Sequence, residues 1–166
     1  MTLSTRDVEL RGIGALVPAV REALVGIRPV ARAAVVVPAV PDPTPLAELT
    51  DERLAADVGD GLDAVLADVR AVLDGLRRLV FVLPATPLMG AAGQAGASAV
   101  ANGVLSMART LAIELARDEV TVNVLAVSDP AGLGPQLGAL LGEGGEGVTG
   151  QEIYLTGGAD LGRLRP

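Results

Sequence analysis

The chain's chemistry has to come from a short vocabulary. Among 166 residues there is no Cys, His, Trp or Lys, and all thirteen basic residues are Arg. Without Cys or His there is no thiolate nucleophile, no Ser-His-Asp relay and no zinc site of the usual ligands. Without Lys there is no Schiff base, no phosphate-binding lysine and no Tyr–Lys proton relay. Carboxylates, four serines, nine threonines, Arg and the single Tyr154 remain, with Phe81 the only other aromatic ring.

Four groupings in that vocabulary have spacing that could serve chemistry. Gly12 and Gly14 could end a phosphate loop, but two glycines after a short strand equally make a strand-to-helix turn, and the turn is the reading adopted. Gly142-Glu143-Gly144-Gly145-Glu146-Gly147 precedes a strand instead of a helix and carries two carboxylates, which makes it a flexible connector and not an anion cradle. Tyr154 lies in a predicted strand with no Lys or His to lower its pKa, so it reads as a packed side chain. Asp57, Asp60, Asp63 and Asp68 are spread along a helix instead of converging on one cation, and they read as a solvated face.

The elements that must position these residues alternate between strand-like and helix-like from start to end, the pattern of an α/β protein with a mostly parallel sheet. Val8–Leu10 is a weak first strand. Leu16, Val17, Val20 and Leu24 have helical spacing, with Pro18 tolerated in a first turn. Ala33–Val37 is a buried strand, expected at the centre of the sheet beside an edge Val8–Leu10, and Pro38–Pro45 is an extended loop. Thr50 caps a long helix whose Leu54, Val58, Leu62, Val65, Leu66, Val69, Val72 and Leu73 share an apolar arc of roughly 120°. Leu79–Leu83 is the next strand, followed by a loop to about residue 96. A helix over Ala97–Arg117 has an unusually broad apolar face. Val120–Val127 is a strand, Pro135–Leu141 a short helix and Gly150–Leu155 the last strand. Connections between parallel strands are expected to be right-handed.

Three stretches then carry a likeness. Gly93-Gln94-Ala95 leading into Ala97–Ala116, Val120–Ala126, and Val148–Gly158 resemble, in that order, three segments of the short-chain dehydrogenase/reductases, most closely the 3-oxoacyl-(acyl carrier protein) reductases. Pro45–Glu52 is similar to the segment that opens the family's fourth helix. The resemblance implies a three-layer Rossmann-like α/β fold with a reduced, mostly parallel sheet of about five strands. Carried over position by position, it also places Ala97 where the family has its catalytic tyrosine, Ala101 at the lysine, Pro84 at the serine and Gly61 at the asparagine. Arg11-Gly12-Ile13-Gly14 resembles the end of the family's glycine loop, but Val8 stands at its first glycine and Asp7 at its threonine. Val37-Pro38-Ala39-Val40 replaces Asn-Asn-Ala-Gly, and Val127-Ser128 replaces Pro-Gly. Between Leu24 and Ala33 there is no room for the family's second and third strands. The eroded N-terminal domain of the large two-domain oxoacyl reductases is similar.

Composition fits this reading. Half of the residues are hydrophobic and the net charge is -7, the wrong sign for nucleic acid or an anionic membrane surface. The longest apolar run, Ala33–Val40, is far short of the roughly 20 residues of a membrane-spanning helix. The expectation is a single cytoplasmic domain over residues 1–166, without catalytic, cofactor-binding or metal-binding residues and without a cofactor. It would act by association in fatty-acid or polyketide metabolism, as a homodimer or as a heterodimer with an active short-chain reductase. The resemblance makes Leu105, Met107, Arg109 and Ala112 the candidate interface. The alternative is an NADPH-dependent oxidoreductase of the 3-oxoacyl reductase type that works through residues not assigned above.

Overall fold

The computed structural model describes residues 8–158. Five parallel strands lie in the order in which the chain makes them: β1 (Val8–Arg11), β2 (Ala33–Val36), β3 (Arg78–Pro84), β4 (Thr121–Val127) and β5 (Glu152–Leu155). Val8–Leu10 is thus a parallel edge strand, as the sequence suggests. The central strand is β3, however, and β2 is second. The longest run of buried residues in strand conformation belongs to β3 and β4, which pair from Arg78↔Thr121 to Pro84↔Val127.

Alternation divides the core in two. Ala34, Val36, Leu79, Phe81, Leu83, Val122 and Val124 point to one face, where they meet helices α3 (Gly61–Val72) and α5 (Ala95–Glu114). Val35, Val37, Val80, Val82, Leu125 and Val127 point to the other, under α1 (Val17–Ala23) and α6 (Leu133–Leu141). Because these strands are covered on both faces, they read as unbroken apolar runs. The outcome is the three-layer arrangement that the sequence implies.

This division has a topological consequence. In a parallel sheet whose strands step steadily in one direction, the hand of each connection is set by the face on which its helix lies. Since α1 and α6 share one face and α3 and α5 the other, two of the four connections are left-handed. The uniformly right-handed expectation is therefore wrong, even though such crossovers are right-handed in about 98% of cases.

Local departures have local causes. Thr50 does cap a helix, its Oγ accepting from the Arg53 amide at 3.2 Å, but the helix is broken. Between α2 (Asp51–Leu54) and α3 the chain widens into a π-helical stretch, Ala55–Asp60, which turns the start of the apolar arc away: Leu54 before it is exposed whereas Val65, Val69 and Val72 beyond it are buried; Leu73, at the end of α3, is also exposed. The stretch expected to be loop contains α4 (Ala85–Met89), which starts after Pro84 and ends at Gly90. The glycine run at 142–147 is a packed turn, not a loose connector; a Cβ on Gly145 would lie 2.3 Å from the Leu140 carbonyl oxygen.

Candidate functional site

In open α/β sheets ligands gather outside the carboxyl ends of the strands, and there the chain forms a cavity of about 270 Å³ between β1, β2 and β3. Its walls include Leu16, Val37, Pro38, Pro41, Pro84 and Pro87, with Thr86 and Gln94 the polar side chains. The prolines follow from the chain's turns off the ends of β2 and β3, and none has an N–H to donate. The proline-rich loop is held over the approach to α5 by the Thr44 amide, which donates to the Gly93 carbonyl at 2.7 Å. The start of α5 is held in turn by Ser98, whose hydroxyl donates to the Pro87 carbonyl at 2.7 Å.

The glycine loop is spent on packing. Gly12 has φ +92°, and a Cβ there would lie 2.2 Å from the Val37 carbonyl oxygen; on Gly14 it would lie 2.1 Å from that of Pro38. The Gly14 amide donates to Val37 O at 3.0 Å, and the Val17 amide that begins α1 donates to Gly14 O at 3.0 Å. Pro18 removes a further donor from that first turn. Ile13, at the tip between the two glycines, is 88% exposed.

The positions that the resemblance marks are dispersed. Pro84 ends β3 and lines the cavity. Ala97 and Ala101 are buried on the core side of α5, and Gly61 begins α3. Asp7 lies outside the described residues, and Val8 begins β1. Tyr154 is half-buried on β5, and its hydroxyl donates to the Glu152 carboxylate, whose other oxygen accepts from Arg109 Nη2 at 3.1 Å. Of the acidic side chains on the long helix, Asp57 pairs with Arg53 Nε at 3.1 Å. Among the described residues no group of carboxylates is arranged to hold a metal ion. The Glu52 carboxyl is held below the usual glutamate range by its own backbone amide and then by the Thr50 hydroxyl. Of the candidate interface residues, Leu105 and Ala112 are buried in the chain's own core, Met107 packs against that core, and Arg109 is exposed. The cavity's polar pair, Thr86 and Gln94, carries no signal in the sequence that marks it as part of a site.

Comparison with known proteins bears on this geometry. No protein-family profile matches the chain. An oxidoreductase of the short-chain dehydrogenase/reductase family from Burkholderia thailandensis superposes with a TM-score of 0.74, covering 93% of each chain at 19% identity. The chain has the fold of the short-chain dehydrogenase/reductases. A 4-hydroxyisoleucine dehydrogenase complexed with NADH and succinate superposes with a TM-score of 0.62 at 16% identity, over 73% of this chain and 65% of the other. In sequence, the chain is 30% identical over 142 residues to the (2S)-[(R)-hydroxy(phenyl)methyl]succinyl-CoA dehydrogenase subunit BbsC of Thauera aromatica. That match takes in 68% of this chain and 57% of the relative's length.

The hand of the β1-α1-β2 connection now has an explanation. In a doubly wound sheet the helix after the first strand leads to a strand on that strand's far side. Here no described strand lies on that far side, and the chain turns back across β1 to reach β2. The helix keeps its face, and the hand of its connection reverses.

No described helix is long and apolar enough to cross a membrane.

Proposed function

We propose that the chain is a non-catalytic subunit of short-chain-reductase fold. On this reading it acts by association, as a homodimer or as the silent partner of an active reductase that works on acyl thioesters in fatty-acid or polyketide metabolism. The observation that carries the reading is the burial of Ala97 and Ala101 in the core beneath α5. Hydride transfer to a ketone needs a proton donor and hydrogen bonds to the developing alkoxide, and methyl groups turned into a core supply neither.

The dinucleotide that the fold implies does not fit the residues present. Gly12 and Gly14 are closed against Val37 and Pro38, Pro18 interrupts the amides of α1, and among the described residues no strand lies beyond β1 to carry the adenosine half. A relative named as a subunit of a [hydroxy(phenyl)methyl]succinyl-CoA dehydrogenase supports both the assembly and the thioester. Contact would run along the outer stripe of α5, where Arg109 and Ile113 stand one turn apart and Ile113 is 78% exposed, with Leu105, Met107 and Ala112 at its inner margin. The chain is read as one domain over residues 1–166, working in the cytoplasm.

Two measurements test this. NADPH and NADH titrated by calorimetry should show no binding; a dissociation constant below about 100 μM would overturn the inactive reading, as would turnover of an acetoacetyl thioester by the triple variant Ala97→Tyr, Ala101→Lys, Pro84→Ser. Sedimentation velocity, on the chain alone and with its co-expressed partner reductase, should show an assembly that Arg109→Glu with Ile113→Glu disperses. Persistence of the assembly in that variant would remove the α5 surface from the proposal.

A further inference from the structure

The opposite end of the sheet holds a second cavity, of about 580 Å³, below the first residues of β3 and β4. It lies away from the end at which α/β sheets usually bind ligands. Ala31, Arg77, Arg78, Thr121, Glu146 and Thr149 are among the residues that line it. Arg78 is the unusual member, because its side chain is only 8% exposed and an arginine this buried is normally fully paired.

Arg78 is paired on one side only. Its Nη1 donates to the Arg77 carbonyl at 3.1 Å. Its Nε is buried with no hydrogen-bond partner, and its Nη2 stands 3.6 Å from Glu146 Oε2, beyond hydrogen-bond length. An arginine grips an oxyanion with two parallel bonds along one edge; among the described residues no acceptor bonds to Nε, and Nη2 has only the longer approach of Glu146. Other donors share the cavity. Thr149 Oγ1 accepts from the Val122 amide at 3.1 Å, which leaves its O–H to donate, and Arg77 adds a second guanidinium. The acids are at the mouth: Glu119 is 3.4 Å from Arg77 and, like Glu146, is on a mostly exposed side chain.

From this arrangement we infer that the cavity binds a small oxyanion, a carboxylate or a phosphate, at the incompletely paired guanidinium of Arg78 with Arg77 and Thr149 beside it. Glu146 is the built-in competitor for that guanidinium. The inference is independent of the association reading, since it uses neither α5 nor the carboxyl end of the sheet.

The test is a thermal-shift titration of the full chain with sodium acetate and, separately, sodium phosphate, each against sodium chloride at equal ionic strength. Ligand that binds only the folded state raises the melting temperature with dose. At least one oxyanion should do so beyond chloride; acetate alone would mark a carboxylate site and phosphate alone a phosphate site. Glu146→Gln should increase the apparent affinity several-fold and Arg77→Ala should lower it several-fold. Arg77 is at the surface, so the second variant keeps the test valid if Arg78→Met does not fold. An effect no larger than that of chloride, or one unchanged in both Glu146→Gln and Arg77→Ala, would overturn the inference.

Discussion

Gly12 separates two uses of a glycine that sequence cannot tell apart. A phosphate loop needs a bare backbone so that a ligand can approach, whereas here the approaching group is the chain's own Val37 carbonyl. Gly26 provides the comparison, with φ +82° but open space where its Cβ would be. Gly26→Ala should cost only backbone strain, roughly 1 kcal/mol, while Gly12→Ala adds a clash with main chain and should cost about 2 kcal/mol more. Urea unfolding of the two variants measures the difference, and equal costs would mean that the loop around Gly12 gives way easily. That a turn stands at Gly12 and Gly14 was legible from the glycine pair after a strand; which group approaches the bare backbone was not. The state of Arg78 was not legible either, because a charged residue before an apolar run looks like an ordinary strand terminus until the cavity beside it is known.

At the scale of elements, β1 shows how the shortened sheet manages its new edge. Val8 and Leu10 pack toward α1 and α6. On the opposite face Glu9 pairs with Arg11 Nε at 2.8 Å and with Arg32 Nη2 at 3.4 Å. Charges on an edge strand discourage pairing with another chain. Replacing Glu9 and Arg11 together by Val should therefore yield concentration-dependent oligomers in light scattering, with little change in the far-ultraviolet dichroism of the dilute protein; a double variant that stays as dispersed as the parent would show that the edge is protected by something else. The inner strands were legible from their apolar runs and β1 from the alternation of Val8, Glu9 and Leu10, with bounds off by a residue or two. Three features were hidden for distinct reasons. The π-helical stretch has the same residues as a regular helix, α4 begins at a proline and is one turn long, and the turn at 142–147 is held by contact with α6, which composition alone describes as flexible.

At the scale of the molecule, the order of the strands sets the sequence distance that the chain must close to build its sheet. Every strand pairs with the strand made just before it, so no pairing has to wait for a segment made later to insert between its neighbours. Loop closure should thus be stepwise, and folding rate should depend on how soon the best pair forms. That pair is β3 with β4, joined by α5 and carrying seven register positions against four for β1 with β2. The fully buried Val80 and Val124 sit in this pair, and Ala substitutions there should slow refolding in proportion to the stability lost, whereas Leu10→Ala on β1 should chiefly speed unfolding. Stopped-flow chevrons on the three variants decide it, and slowed refolding in Leu10→Ala to the same proportion would mean that the edge forms with the centre. A strand lost from the middle of such a sheet would separate its two halves, but a pair lost at the switch leaves a ladder in chain order. The strand order that places β1 at an edge also leaves a chain whose expected nucleus, β3-α5-β4, is contiguous in sequence and complete before the last strand is made.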